Sequence, residues 1–90
     1  MNKTGYYFLR QGKNKEAVQL FLMNATTHSN SANAFDSLAD GYEAAGDVKQ
    51  ALQTGETCLK VLAAENVSDE QRAQLIKATN DRVTRLKKQD

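Results

Sequence analysis

The sequence predicts an all-α fold: two helical hairpins stacked as a short α-α superhelix and closed by a fifth, capping helix. Three observations predict it. Apolar residues recur at spacings of three and four along most of the chain, and no stretch of any length alternates with the period of a strand. The phrase GKNKEAV at 12–18 returns as GDVKQAL at 46–52, thirty-four residues later, with glycine, lysine, alanine and a closing aliphatic residue in register. There is no proline, and two of the five glycines open those phrases, where helices are expected to stop.

The elements follow in order. Tyr6, Tyr7, Phe8 and Leu9 form an apolar block in a first helix over about 2–11, ended by Gly12, because glycine takes a left-handed backbone without steric cost. Ala17, Val18, Leu20, Phe21 and Ala25 stripe a second helix over about 15–28. Ser29, Asn30 and Ser31 then break the pattern and supply cap oxygens. Ala34, Phe35, Leu38, Ala39, Tyr42 and Ala45 stripe a third helix over about 32–45, stopped by Gly46. Asp47, with Gln50 three residues on, reads as the cap of a fourth helix carrying Val48, Ala51, Leu52, Cys58, Leu59 and Leu62. Ser68-Asp-Glu-Gln71 is a capping box for the fifth helix, whose stripe is thin: Ala73, Ile76, Val83 and Leu86, with Leu75 beside it. Asp69 and Glu70 suit its N-terminus, and Lys87 and Lys88 its C-terminus. Linkers of two to five residues make neighbouring helices antiparallel.

Ninety residues form one domain, 1–90, which buries roughly 60–70% of its unfolded surface. The units are 1–30, 31–65 and the capping helix 66–90. Twelve Lys and Arg against eleven Asp and Glu leave a net charge of +1, so no global field draws in nucleic acid or an anionic membrane. Cys58 and His28 are each the only residue of their type, which argues against a disulfide framework, a zinc site or a catalytic pair. No metal, cofactor or catalytic residue is therefore expected. His28 reads as a residue at a helix end and Cys58 as a small buried hydrophobe. No apolar run is long enough for a membrane span, and YYFL is too short for a signal peptide. The expectation is a soluble protein, cytoplasmic rather than periplasmic.

The thirty-four-residue helix-turn-helix period resembles the tetratricopeptide repeat. Phe35, Leu38, Ala39, Tyr42, Gly46 and Ala51 stand at that family's spacings in unit two, as do Gly5, Phe8, Gly12, Ala17 and Phe21 in unit one. The small residues stand where backbones approach and the aromatics where grooves are filled. The pattern departs at Gly55, where unit two lacks its large aromatic, and at Thr4, which takes a leucine site. The room at Gly55 is open to a side chain of the last helix or to a partner. Met1 already occupies the leading aromatic site, so unit one reads as truncated at its start. YFLRQGKNKEAVQLF and SANAFDSLADGYEAAGD also resemble the repeat domains at the C-termini of some bacterial hydrolases of the β-lactamase and esterase kinds.

The resemblance implies a non-catalytic scaffold that binds another protein or peptide, with the first helix of each unit lining a concave face. Asn2, Tyr6, Leu9 and Arg10 of unit one would line it, with Asn33, Asp36, Asp40 and Glu43 of unit two. An acidic strip beside an aromatic one favours a basic or polar extended ligand; the alternative is that these residues are only a solvated helix face. Asp36 and Asp40 would repel a terminal carboxylate, and Tyr6 stands where a carboxylate clamp would carry asparagine. A homodimer is also expected, because the first helix lacks a neighbour on one side. The resemblance to the hydrolase domains implies instead an accessory, structural or dimerisation role in a larger protein. Arg72, Lys77, Arg82, Arg85, Lys87 and Lys88 read as the polar outside of a terminal cap, since acids offset them and no aromatic interleaves.

Overall fold

The structure, a computed structural model, describes residues 3–89. Met1 and Asn2 lie outside the described residues, and with Asn2 the groove role expected of it. Among the described residues five helices follow one another: α1 (Lys3–Arg10), α2 (Asn14–Thr27), α3 (Ala32–Ala44), α4 (Val48–Ala64) and α5 (Asp69–Gln89). The described residues contain no strand.

The repeated phrases make the same turn twice. Gly12 and Gly46 take φ of 77° and 81°, the left-handed region that disfavours every residue with a Cβ. Each is followed by the paired bonds of a Schellman stop. Gly12 N donates to Leu9 O (3.1 Å) and Lys13 N to Phe8 O (2.8 Å). Thirty-four residues on, Gly46 N donates to Glu43 O (3.1 Å) and Asp47 N to Tyr42 O (2.9 Å). The starts of α3, α4 and α5 are capped by side-chain oxygens that satisfy otherwise orphaned amides, whereas α2, with Lys13 at its N-cap, has no side-chain cap. Ser31 Oγ accepts from Ala34 N at 3.3 Å, Asp47 Oδ1 from Gln50 N at 3.2 Å, and Ser68 Oγ from Gln71 N at 3.1 Å.

Successive helices run antiparallel, as short linkers require. Asn14, at the start of α2, donates to Ala44 O at the end of α3 (3.0 Å), and Ala32, at the start of α3, donates to Glu65 Oε1 just past α4 (2.9 Å). Besides its chain neighbours, α3 touches both α1 and α5. It is therefore the helix around which the others are arranged.

Two apolar clusters fill the stack. Ala17, Phe21, Ala25, Ala34 and Leu38 form the first, flanked by Tyr6, Phe8, Leu9, Val18, Phe35 and Tyr42. Ala32, Cys58 and Leu62 form the second, against Phe35, Val61, Val67 and Leu75. Phe35 belongs to both and joins the hairpins. Ala17, Ala39 and Ala51 are fully buried, and Gly5 is buried. Phe21 shows why glycine is needed in α1: a Cβ on Gly5 would stand 2.4 Å from its ring, and one on Gly41 would stand 2.9 Å from the ring's other edge.

Helix α5 keeps only part of its expected stripe: Leu86 is buried and Leu75 and Val83 are half-buried. Ala73 and Ile76, assigned to the same stripe, are exposed, and Thr79 and Arg82 are buried instead. The room at Gly55 is taken from within the chain: a Cβ there would meet Thr79 Cγ2 at 3.5 Å and Val83 Cγ2 at 3.7 Å. The helix is turned to set its threonine against the glycine and its arginine against the acids of α3, and this overrides the greater hydrophobicity of Ile76. Arg82 is thus not part of the solvated outside of a cap.

Candidate functional site

Three carboxylates rise from one face of α3 at helical spacing, Asp36, Asp40 and Glu43. They converge on one guanidinium. Arg82 Nη1 donates to Asp36 Oδ1 at 2.8 Å, Nη2 to Asp40 Oδ1, and Nε to Glu43 Oε1 at 3.2 Å. Arg85, one turn further along α5, closes a two-pronged contact with Glu43: Nε to Oε2 at 3.0 Å and Nη2 to Oε1 at 2.9 Å. The five donors of a guanidinium lie in one rigid plane, which lets Arg82 address three acids at once where lysine would offer a point charge. Its side chain is only 6% exposed, whereas that of Arg85 is 53% exposed.

Asp40 connects this network to α1. The Tyr6 hydroxyl donates to Asp40 Oδ2 at 2.7 Å, and Ser37 Oγ lies 3.3 Å from the same phenol oxygen. The Tyr6 ring stands edge-on to Phe21 with centroids 5.0 Å apart, so the polar seam rests directly on the apolar core. One acid thereby receives a phenol from the first hairpin and an arginine from the last helix.

The titration of these groups follows from their surroundings. Burial pushes the Tyr6 phenol up to about 12; Ser37 pulls the other way, and the hydrogen bond and charge of Asp40 add to the rise. Burial also raises Asp40, more than its bond from Tyr6 and the charge of Arg82 lower it. Glu43 is lowered, chiefly by its hydrogen bond from Arg85. Burial opposes the charge on Arg82, but the bond to Asp36 and the charges of Asp40 and Asp36 outweigh it, and Arg82 is held more firmly protonated.

The residues expected to line one groove are thus divided. Tyr6, Asp36, Asp40 and Glu43 meet around Arg82. Leu9 packs against the first core cluster, and Arg10 is exposed beyond it. Asn33 is exposed and lines a cleft of about 340 Å³ with Gln71, Gln74 and Leu75 at the α3–α5 junction. The acids of α3 are therefore not a bare strip open to an extended ligand, because α5 lies over them. Sequence reading missed Arg82 and Arg85 as members of the site. The spacing of Leu75, Thr79, Arg82 and Leu86 allows such a stripe, but so does that of Ala73, Ile76, Val83 and Leu86, and only the acids of α3 decide between them.

Groups that could do chemistry lie elsewhere. Cys58 is buried, its Sγ donating to Ala32 O at 3.3 Å and standing 3.7 Å from Thr79 Oγ1, and burial raises its pKa, which favours the unreactive thiol. His28 is exposed after α2. Among the described residues, no group of three or more His, Cys, Asp or Glu is placed to hold a metal ion, and no helix is long and apolar enough to cross a membrane. No protein family, curated protein or solved structure matches the chain.

Proposed function

We propose that this chain is a non-catalytic helical-repeat module of the tetratricopeptide type that binds another polypeptide. The observation that carries this reading is the α3 face itself: three carboxylates of one helix hold the arginine of a second helix. A surface that accommodates a helix-borne cation of its own chain has the charge and shape to receive one from another protein. Matching stop bonds at Gly12 and Gly46 and buried alanines at 17 and 51 support the two-hairpin repeat. The test is a titration of the isotope-labelled full chain with a panel of arginine-containing and acidic peptides. Resonance shifts centred on Tyr6, Arg10, Asn33 and Asp40 with the basic members are the expected result. A spectrum that responds to none, or only to acidic members, ends this reading.

A second reading is favoured by a separate observation. Tyr7, Leu22 and Met23 are 51%, 45% and 66% exposed on the first hairpin. Exposed apolar side chains on that hairpin suit self-association, as in an accessory or dimerisation domain of a larger bacterial hydrolase. Light scattering should then report a dimer that Met23→Glu converts to a monomer. A monomer at all accessible concentrations removes the dimer reading.

A further inference from the structure

Helix α5 is held by an interface unlike the others. Of the three side chains buried among its described residues, Thr79, Arg82 and Leu86, only the last is aliphatic. Ile76 is 39% exposed, while Leu75 beside it packs, half-buried, against the second cluster. Against α4 it presents the methyls of Thr79 and Val83 over a glycine, and against α3 a charged seam. It is tied to α4 by Arg72, which donates to Leu62 O and to Glu65 O (2.7 Å) across a four-residue linker. Beyond the linker at 65–68, the far half of the helix combines the buried Leu86 with the ionic seam of Arg82 and Arg85, and salt weakens the ionic part more than it weakens apolar packing. Beneath α5 lies Cys58, the single thiol of the chain, with no exposed surface.

We propose that α5 is a displaceable strap, an intramolecular stand-in for an arginine-bearing helix of a partner, pinned over the α3 carboxylates by Arg82. With the strap docked, Asp36, Asp40 and Glu43 are satisfied and the face is closed. With it swung out about the linker, the three acids and the Gly55–Cys58 surface open together. A partner helix carrying an arginine at the position of Arg82 then takes its place. The second half of this inference rests on the polypeptide-binding reading above; the opening of the strap does not.

Cys58 makes the opening measurable in the full chain without a partner. Its reaction with an excess of a disulfide-exchange reagent should accelerate with added sodium chloride at concentrations where far-ultraviolet circular dichroism is unchanged. Arg82→Gln should raise the rate about tenfold or more, and Arg82→Lys should lie between, keeping the charge and losing the fork. If Arg82→Gln does not fold, the salt response of the unaltered chain decides alone. A rate that is independent of salt and equal to the rate of global unfolding overturns the strap. The second arm uses a fluorescent peptide of residues 69–88 as the stand-in partner. It should bind the full-length Arg82→Gln or Arg82→Lys chain more tightly than the unaltered chain, and the same peptide with Arg82→Gln should bind neither. Salt-dependent opening without peptide binding overturns the partner half, and peptide titration at other surfaces still tests polypeptide binding separately.

Discussion

Positions 21 and 55 stand one repeat apart in equivalent places on α2 and α4, and the two hairpins treat them in opposite ways. Phe21 is 1% exposed, wedged between Gly5 of α1 and Gly41 of α3. There the aromatic is the filler and its neighbours give way. At Gly55 the filler is missing, and the neighbour comes in instead: Thr79 and Val83 bring α5 against the bare backbone. The first hairpin is thus closed by apolar packing, which is non-directional and little affected by salt. The last helix adds to its apolar contacts a cation among three acids, which is directional and depends on salt and pH. The same repeat position, filled or empty, decides which kind of seam the molecule has beside it.

Removing the filler should have the largest effect. Phe21→Ala deletes a fully buried ring and the edge contact with Tyr6, and should cost about 3–5 kcal/mol in urea unfolding. A cost near 1 kcal/mol would mean that α1 collapses into the space and that the wedge is not what separates the hairpins. Next comes the ionic seam. Arg82→Ala leaves Asp36 and Asp40 facing each other without their guanidinium and Glu43 with Arg85 alone, and a cost of about 2–4 kcal/mol is expected, discounted because the acids are partly open to water. Raising the salt should shrink this cost and leave that of Phe21→Ala unchanged.

The glycines sharpen the contrast through sign. Gly5→Ala gains helix propensity but drives a methyl into a ring that Gly41 backs on its other edge, and overpacking of about 1–3 kcal/mol should dominate. Gly55→Ala meets its neighbours at ordinary van der Waals distance and should stabilise by up to about 1 kcal/mol through propensity alone. In a Phe21→Leu background the penalty at Gly5 should fall while the gain at Gly55 persists. Equal signs at the two sites in the unaltered chain would refute the opposition drawn here.

Much of the two hairpins was legible because their determinants are local. A glycine after an apolar turn, a serine or aspartate three residues before an amide to be capped, and alanine at 17 and 51 each act within one or two turns of helix. The vacancy at Gly55 was legible too, as a break in a repeated pattern. The register of α5 was not. Its stripe is so thin that a rotation exchanging Ala73 and Ile76 for Thr79 and Arg82 loses little apolar burial. The choice falls to partners more than forty residues away, Asp36 and Asp40, which the periodicity of α5 cannot report. The acidic face of α3 was found for the same local reason as the hairpins, and its occupant was missed for the same non-local one.

The smallest effects come from pH. Tyr6 rises from an ordinary value of 10.0 to about 12. A raised folded value means that its contribution to stability is whole below 10.0 and is lost as pH climbs toward 12. Tyr6→Phe should therefore remove a step near 12 from the ultraviolet titration, and with it the part of the alkaline loss of stability that this phenol causes. On the acid side, two neighbours on one helix should behave oppositely. Glu43 is lowered, so its contribution is present above its ordinary 4.5 and disappears as pH falls through the folded value. Asp40 is raised, so its contribution is whole below its ordinary 3.8 and is lost as pH rises through the folded value. The stability difference between the unaltered chain and Glu43→Gln should then grow with rising pH across the acid range, whereas that for Asp40→Asn should shrink. Parallel curves for the two variants would show that Arg82 holds both acids alike, and that burial does not set Asp40 apart.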